Sequence, residues 1–369
     1  MAKGSNWNIT LQSLPNSESR VYLGFPYVLF DLERANTHYP SSRHRRYLLW
    51  HSHGWNFLMR VMVTGASGFV GQHLLNLSPS FIGVDKAPLD PRVLKCDLRN
   101  FDDLYEVVCE NQISAVVHLA GVQYSQYVKP WNRKLFFQEN VDMAQNLRRV
   151  SELCKIRKII YLSTDMVYGD KITSPVNEEA SPAPIGEYGA SKLAAEEMLS
   201  NGTAIYKLVV LRPRLILGSG RAGTMDKLAT LINSPLPIFI LGDGKNRYQF
   251  VGVDDVCTAV NLFLNMDLSG TFNIGSNNPP ELVPLFQAVL DSLNRRKMVI
   301  KIPSVLAFPL LGFLDKIGLS PLAPEQFRIS DIDYVLDTSK LKMTTGWDST
   351  QTDGQLLTST IAYLIGDIK

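Results

Sequence analysis

Cysteine is scarce in this chain. Its 369 residues include four, Cys96, Cys109, Cys154 and Cys257, and no two are spaced CxxC. That scatter argues against a disulfide framework and a zinc site, and it fits a reducing, cytoplasmic compartment. No apolar run reaches the roughly 18–20 residues of a membrane span. A secretory signal is not expected either, because a basic start, a long apolar centre and a small-residue cleavage site do not occur together. Neither sign of charge dominates: 37 Lys and Arg against 35 Asp and Glu leave a net +2. So balanced a chain offers no basic footprint for nucleic acid and no acidic tail. Repeats and low-complexity tracts are absent. The expected partner is a small molecule, with no nucleic acid, no membrane and no metal.

Residues 1–58 stand apart. They hold four of the six histidines (His38, His44, His51, His53) and three of the five tryptophans (Trp7, Trp50, Trp55). No strand or helix period is sustained there. Val21 to Phe30 is apolar but broken by Gly24 and Pro26, and the histidines have no regular ligand spacing. The stretch reads as a poorly ordered or non-native leader, with Met59 as the functional start.

From Met59 the pattern becomes regular. Arg60 to Thr64 is a short β-branched apolar run of strand length. Gly65, Gly68 and Gly71 follow it, and an amphipathic segment opens at Phe69. Strand, glycine turn and helix is the setting a dinucleotide phosphate requires. Gly65 permits the tight turn, Gly68 admits the pyrophosphate to backbone N–H groups at the helix start, and Gly71 lets helix pack on strand. A second strand, Phe81 to Val84, runs into Asp85. A carboxylate there accepts hydrogen bonds from the adenosine ribose and repels a 2′-phosphate, which favours NAD over NADP. Neighbouring Lys86 weakens that preference.

Further strands are expected at Val93–Leu98, Ala115–Ala120, Lys158–Thr164 and Ala204–Leu211. Helices are expected over Phe101–Asn111, Asn140–Lys155 and Tyr188–Leu199. This alternation predicts an α/β fold with a doubly wound parallel sheet of the Rossmann type, whose ligands sit at the carboxyl ends of the strands. After Gly218 prolines break the chain into short pieces. The expected division is an NAD-binding domain over 59–218 and a smaller C-terminal lobe over 219–369, mainly for substrate.

The chemistry is expected around Tyr188-Gly189-Ala190-Ser191-Lys192. Four apart on a helix, Tyr188 and Lys192 share a face. A free phenol has a pKa of about 10, and a nearby ammonium favours the phenolate and lowers that value. Tyr188 then takes a proton from a substrate hydroxyl while hydride leaves its carbon for NAD, and Lys192 also holds the nicotinamide ribose. Thr164, closing the preceding strand, offers its hydroxyl to the substrate oxygen. His118 lies inside an apolar strand and reads as a satisfied core residue.

As a set, these residues resemble the extended short-chain dehydrogenase/reductase superfamily, in its NAD-dependent epimerase/dehydratase branch. The resemblance runs from about residue 60 to the C-terminus. It rests on Thr64-Gly65-x-x-Gly68-x-x-Gly71, Asp85, Asp97-Leu98, His118-Leu119-Ala120-Gly121, Asn140-Val141, Ser163-Thr164 with Val167-Tyr168-Gly169, and Tyr188-x-x-x-Lys192. Leu211-Arg212-Pro213, Gly242-Asp243-Gly244 with Arg247, Val253-Asp254-Asp255-Val256 and Asn273-Ile274-Gly275 extend it.

The resemblance implies that Asp97 and Leu98 hold the adenine. Leu119, Ala120 and Gly121 line the cofactor, as do Phe69 and Val70 at the helix start. Thr164, Tyr188 and Lys192 form the catalytic trio, and Arg247 grips a substrate diphosphate. Two positions depart from the family pattern. Met166 stands where the dehydratases carry a glutamate, so dehydration is not expected. Leu215 stands where many nucleotide-sugar enzymes carry asparagine or threonine. The leading expectation is an NAD-dependent epimerase acting on a nucleotide-sugar through a transient keto intermediate. Its rival is an NAD(P)-dependent dehydrogenase or keto-reductase of a sugar nucleotide, sterol or other secondary alcohol. A cofactor-binding scaffold is a third reading, but such proteins commonly lose the tyrosine or lysine, and both are present. The resemblance also implies a homodimer through the helices near 131–154 and 188–200.

Overall fold

A computed structural model describes residues 59–122, 129–221 and 223–367. The expectations for 1–58 lie outside the described residues. The first half of the chain alternates as anticipated. β1 (Val61–Thr64), α1 (Phe69–Leu77), β2 (Ile82–Asp85), β3 (Val93–Lys95), α2 (Phe101–Glu110) and β4 (Ala115–His118) come first. Then follow α3 (Leu135–Cys154), β5 (Lys158–Leu162), α4 (Glu187–Ser200) and β6 (Lys207–Pro213). Several strands end earlier than their apolar runs: β3 stops at Lys95 and β4 at His118. The residues beyond leave the ladder to form loops at its carboxyl edge.

The second half contributes β7 (Leu215–Leu217), α5 (Thr224–Asn233), β8 (Ile238–Leu241), β9 (Phe250–Gly252), α6 (Val253–Leu264) and β10 (Gly270–Ile274). It closes with α7 (Leu282–Ser292), β11 (Val299–Ile302), α8 (Ser304–Lys316), α9 (Pro324–Phe327), α10 (Ser339–Thr345) and α11 (Asp353–Ile365).

Seven strands form one parallel sheet in the order β10-β6-β5-β4-β1-β2-β3. Parallel strands are covered on both faces, so they read as continuous apolar runs. β1 illustrates this: Val61 and Val63 face one core with α1 and α6, while Met62 faces the other with α2, α3 and α4. The strand order reverses between β1 and β4, and a doubly wound sheet opens its ligand crevice there. A third core gathers α5, β8, β9, α7 and α11. Gly218 does not divide the chain cleanly. β10 pairs with β6 as the sheet's edge strand, and α6 packs on its face. A lobe beginning at 219 therefore returns to the sheet before it departs again.

Candidate active site

The glycine turn is shaped by close approach. Gly65 adopts φ +67, and a Cβ there would meet the Ala120 backbone nitrogen at 2.7 Å. Gly71 has no room for a Cβ against the Gly65 and Ala66 backbone. α1 therefore starts tight against β1. Its first turn carries no acid and no side-chain cap, so its N–H groups remain available to an anion. Asp85, ending β2, is fixed from two sides. It accepts the Ser67 N–H at 3.2 Å and the Ala87 N–H at 3.0 Å. Lys86 is drawn off to Glu139 at 3.1 Å, so its charge is countered beside Asp85. The Asp97 carboxylate is occupied by Arg99 at 2.6 Å, whose hydrogen bond holds it below the usual carboxylate range.

His118 is neutral. Burial lowers its pKa to about 3, and it bonds Thr64 Oγ1 at 2.8 Å while stacking on Tyr161. It is a core residue.

The second group of residues faces the first across the crevice. Thr164 caps a single turn, Asp165–Val167, and donates its hydroxyl to Asp165 Oδ1 at 3.0 Å. The Tyr188 phenol lies in contact with the Thr164 hydroxyl. The hydrogen bond between them favours the phenolate, against the rise that burial imposes. α3 and α4 set the tyrosine in place: Asn140 donates to Ser191 Oγ at 2.9 Å, and Ser191 donates to the Tyr188 carbonyl at 2.8 Å. Asn140 also accepts the Val122 N–H at 2.9 Å, tying the loop after β4 to the same helix pair.

Lys192 differs from expectation. Its Nζ donates to the Leu162 carbonyl at 2.7 Å and stands 4.3 Å over the Tyr161 ring. Burial lowers its pKa to about 7, with Glu196 opposing. Burial instead pushes the Tyr188 phenol above its ordinary value and Asp165 adds to the rise, while the cation that opposes it is Arg221. The sequence spacing pairs Tyr188 with Lys192; the fold gives Tyr188 an arginine from the loop after β7.

Every proposed site residue except Arg247 lines one cavity of about 490 Å³ at the carboxyl edge of the sheet: Gly65, Gly68, Phe69, Val70, Gly71, Asp85, Asp97, Leu98, Leu119, Ala120, Gly121, Thr164, Tyr188 and Lys192. Arg247 is held elsewhere. Its guanidinium grips Asp333 at 2.8 and 2.9 Å, and its neighbour Tyr248 lines the cavity instead. Among the described residues no cluster of three or more His, Cys, Asp or Glu side chains suits a metal.

The family model of the NAD-dependent epimerase/dehydratase family matches residues 61–275, from the first residue of β1 to just past β10. The chain belongs to this family.

Among curated relatives, the uncharacterized protein y4nG of Sinorhizobium fredii is 31% identical over 62% of this chain and 58% of its own length. The UDP-glucose 4-epimerase of Azospirillum brasilense is 28% identical over 54% of this chain and 66% of its own length. The chain thus spans less than two thirds of the length of these two. The fold matches that of Bordetella bronchiseptica WbmG, solved with NAD and UDP, at a TM-score of 0.67 and 20% identity, covering 84% of this chain and 94% of that one.

The family's NAD dependence fits the residues present. The uncapped start of α1, the turn with no space for side chains, and an Asp85 oriented by two N–H groups would suit a dinucleotide. A Cβ on Gly121 would come within 3.5 Å of Lys192 Nζ, so the lysine borders the bare stretch of wall after β4.

Arg214 and Glu325 were not anticipated at the site. Arg214 is buried between Tyr248 and Tyr334, 4.6 and 4.5 Å from their ring centres, and pairs with Asp165 Oδ2 at 2.6 Å. Glu325 of α9 accepts the Tyr188 N–H at 3.2 Å and the Gly189 N–H at 3.4 Å, capping α4 from a distant part of the chain. Arg212 is a structural motif residue: it forks onto Glu196 at 2.6 and 3.1 Å and reaches Tyr168, which bonds Asn273 of β10.

Proposed function

We propose that this family member is an NAD-dependent epimerase of a nucleotide-sugar, working through a transient keto intermediate. The observation that carries the reading is the meeting of Thr164 and Tyr188 with the glycine turn and Asp85 in one cavity. The UDP-glucose 4-epimerase relative and the WbmG structure with NAD and UDP support it. When bound, NAD supplies the acceptor and later the donor of a hydride. Gly65, Gly68 and Gly71 admit its pyrophosphate, Phe69 and Val70 present the N–H groups of α1, and Asp85 takes the ribose hydroxyls. Asp97 and Leu98 would hold the adenine, Leu119, Ala120 and Gly121 would line the cofactor, and Lys192 would hold the nicotinamide ribose.

Thr164 offers its hydroxyl to the sugar oxygen, which leaves the proton of the sugar hydroxyl directed toward Tyr188. Tyr188 receives that proton on its phenolic oxygen and later returns it. Arg221 stabilises the phenolate that takes up the proton and that is restored when the proton is returned. Asp165 is committed to Arg214, and Met166 brings no acid, so the site lacks the acid pair for eliminating water. The part of the chain outside the sheet holds the nucleotide. We assign the enzyme to the cytoplasm, as a homodimer through α3 and α4.

A second reading, a dehydrogenase or keto-reductase, is favoured by Leu215, an aliphatic side chain in the cavity wall. Mass spectrometry of small molecules released from the denatured protein separates the two. Stoichiometric NAD with a nucleotide-sugar, and interconversion of UDP-sugar epimers without added cofactor, is the expected result. An empty protein that consumes added NADH or NADPH one-for-one with substrate would replace the epimerase by the reductase.

A further inference from the structure

We propose that the outer face of α8 is a docking surface for an anionic lipid bilayer, on which the protein lies without crossing it. The helix buries little: of its thirteen residues, only Ala307 and Asp315 are buried. Val305 is 79% exposed, Leu306 68%, Leu310 58% and Phe313 61%, and Ile317 just past the helix is 48% exposed. At about 100° per residue these positions share one arc of about 140°. Exposed leucines scattered singly are ordinary, whereas a contiguous apolar stripe marks an interaction site.

Charge selects the occupant. Between Leu293 and Leu322 the one acid is Asp315 and the cations are Arg296, Lys301 and Lys316, together with Arg295, which pairs with Asp367 at 3.5 Å, and Lys297, which donates to the Leu231 and Leu236 carbonyls. Asp315 is turned inward, where Arg133 Nη1 donates to it at 2.9 Å. No carboxylate therefore stands on the outer face of α8. Lys316, exposed, falls within the same arc, and Lys301 is exposed just before the helix. Two copies of such a face would bring like charges together. A layer of anionic headgroups meets opposite ones while the apolar stripe enters the acyl boundary.

Trp131 adds a second signal. It is 61% exposed and packs beside Gly318, just after the helix. Lys129 lies 5.7 Å from the Trp131 ring centre and donates to the Gly318 carbonyl at 2.6 Å. An exposed tryptophan with a lysine beside it is the pairing favoured at headgroup level. Thirteen residues are too few for a span of about 20. No helix among the described residues is long and apolar enough to cross a membrane. The surface mode is what remains.

The test is flotation of the full chain with phosphatidylcholine vesicles, with and without phosphatidylglycerol. The expected result is flotation with the anionic vesicles, weakened by salt and by omitting phosphatidylglycerol. L310E/F313E should partition at least about tenfold less, with unchanged circular dichroism and melting temperature. K301E/K316E should lose the preference for anionic vesicles. The proposal is overturned if the wild-type chain stays in the lipid-free fraction with both vesicle types, or if L310E/F313E floats as well as wild type. Two results would also overturn it by naming another occupant. One is a dimer that L310E/F313E dissociates, without vesicle binding. The other is flotation gained only after removal of residues 1–58. Because the inference does not depend on the chemistry at Tyr188, vesicle binding and UDP-sugar conversion fail or succeed separately.

Discussion

At the scale of single residues, Tyr188 is where the chemistry is staked. Tyr188→Phe keeps the ring against Phe136 but removes the group that exchanges the proton. Its turnover of UDP-sugar should fall by roughly 10²–10⁴-fold with little change in KM. Wild-type turnover in that variant would end the proposed mechanism.

Lys192 makes a different prediction. Its pKa is lowered to about 7 in the folded chain, against about 10.4 unfolded. Between those values the unfolded chain binds one proton more, so stability rises as pH rises from about 7 toward 10. Lys192→Met should flatten that part of a plot of melting temperature against pH, and an unchanged slope would refute the assignment. Asp85→Asn removes the charge that repels a 2′-phosphate. It should narrow the gap between NAD and NADP affinity, read by titration of protein fluorescence.

The residues that sequence spacing exposes share one property: each sits in, or within a few residues of, the carboxyl end of a strand or the start of a helix. Gly65, Asp85, Gly121, Thr164 and Tyr188 are of this kind. Arg214, directly after β6, Arg221, just before α5, and Glu325, in the first turn of α9, have such positions too, but neither they nor Tyr248 were singled out for the site by motif spacing. They reach the site through tertiary approach, and no local period announces them. Arg247 is the opposite case, a motif position whose side chain is paired with Asp333, 86 residues on.

At the scale of elements, α4 depends on a clamp. Gly186 gives its start no side-chain cap, and Glu325 supplies the missing acceptor from 137 residues downstream. Glu325→Ala should cost about 0.5–2 kcal/mol in urea unfolding and raise KM, because the helix it frees carries Tyr188. The Arg214–Asp165 pair is more exacting. Arg214→Met strands a buried carboxylate and should destabilise by roughly 3–5 kcal/mol, while Arg214→Met/Asp165→Asn should recover much of the loss. If the double variant is no more stable than the single one, the pair is not what holds this wall. Up to β6 the strands and helices were legible from their apolar periods, whereas the elements after it were not; the ends were less legible, because apolar residues such as Leu98 and Leu119 leave β3 and β4 for the crevice.

At the scale of the whole molecule, the sheet was legible from alternation, but its seventh strand was not. β10 is five residues long, Gly270–Ile274, and lies within the part of the chain after Gly218 that reads as a separate lobe. A chain ending at Gly218 lacks α6 and β10. It should be insoluble or melt without cooperativity, and a soluble, cooperatively melting fragment would make residue 218 a true domain boundary.

The late position of β10 also bears on how the protein is made. A ribosome releases β1 to β6 well before it reaches residue 270, so the nascent sheet waits with one flank of β6 unpaired. Exposed strand edges template association with other chains. The interval in which the stretch 214–269 is translated is therefore the dangerous one for this protein. Slow codons there should favour aggregation, and a chaperone that shields strand edges should matter more to its yield than to that of a protein whose sheet is completed in order.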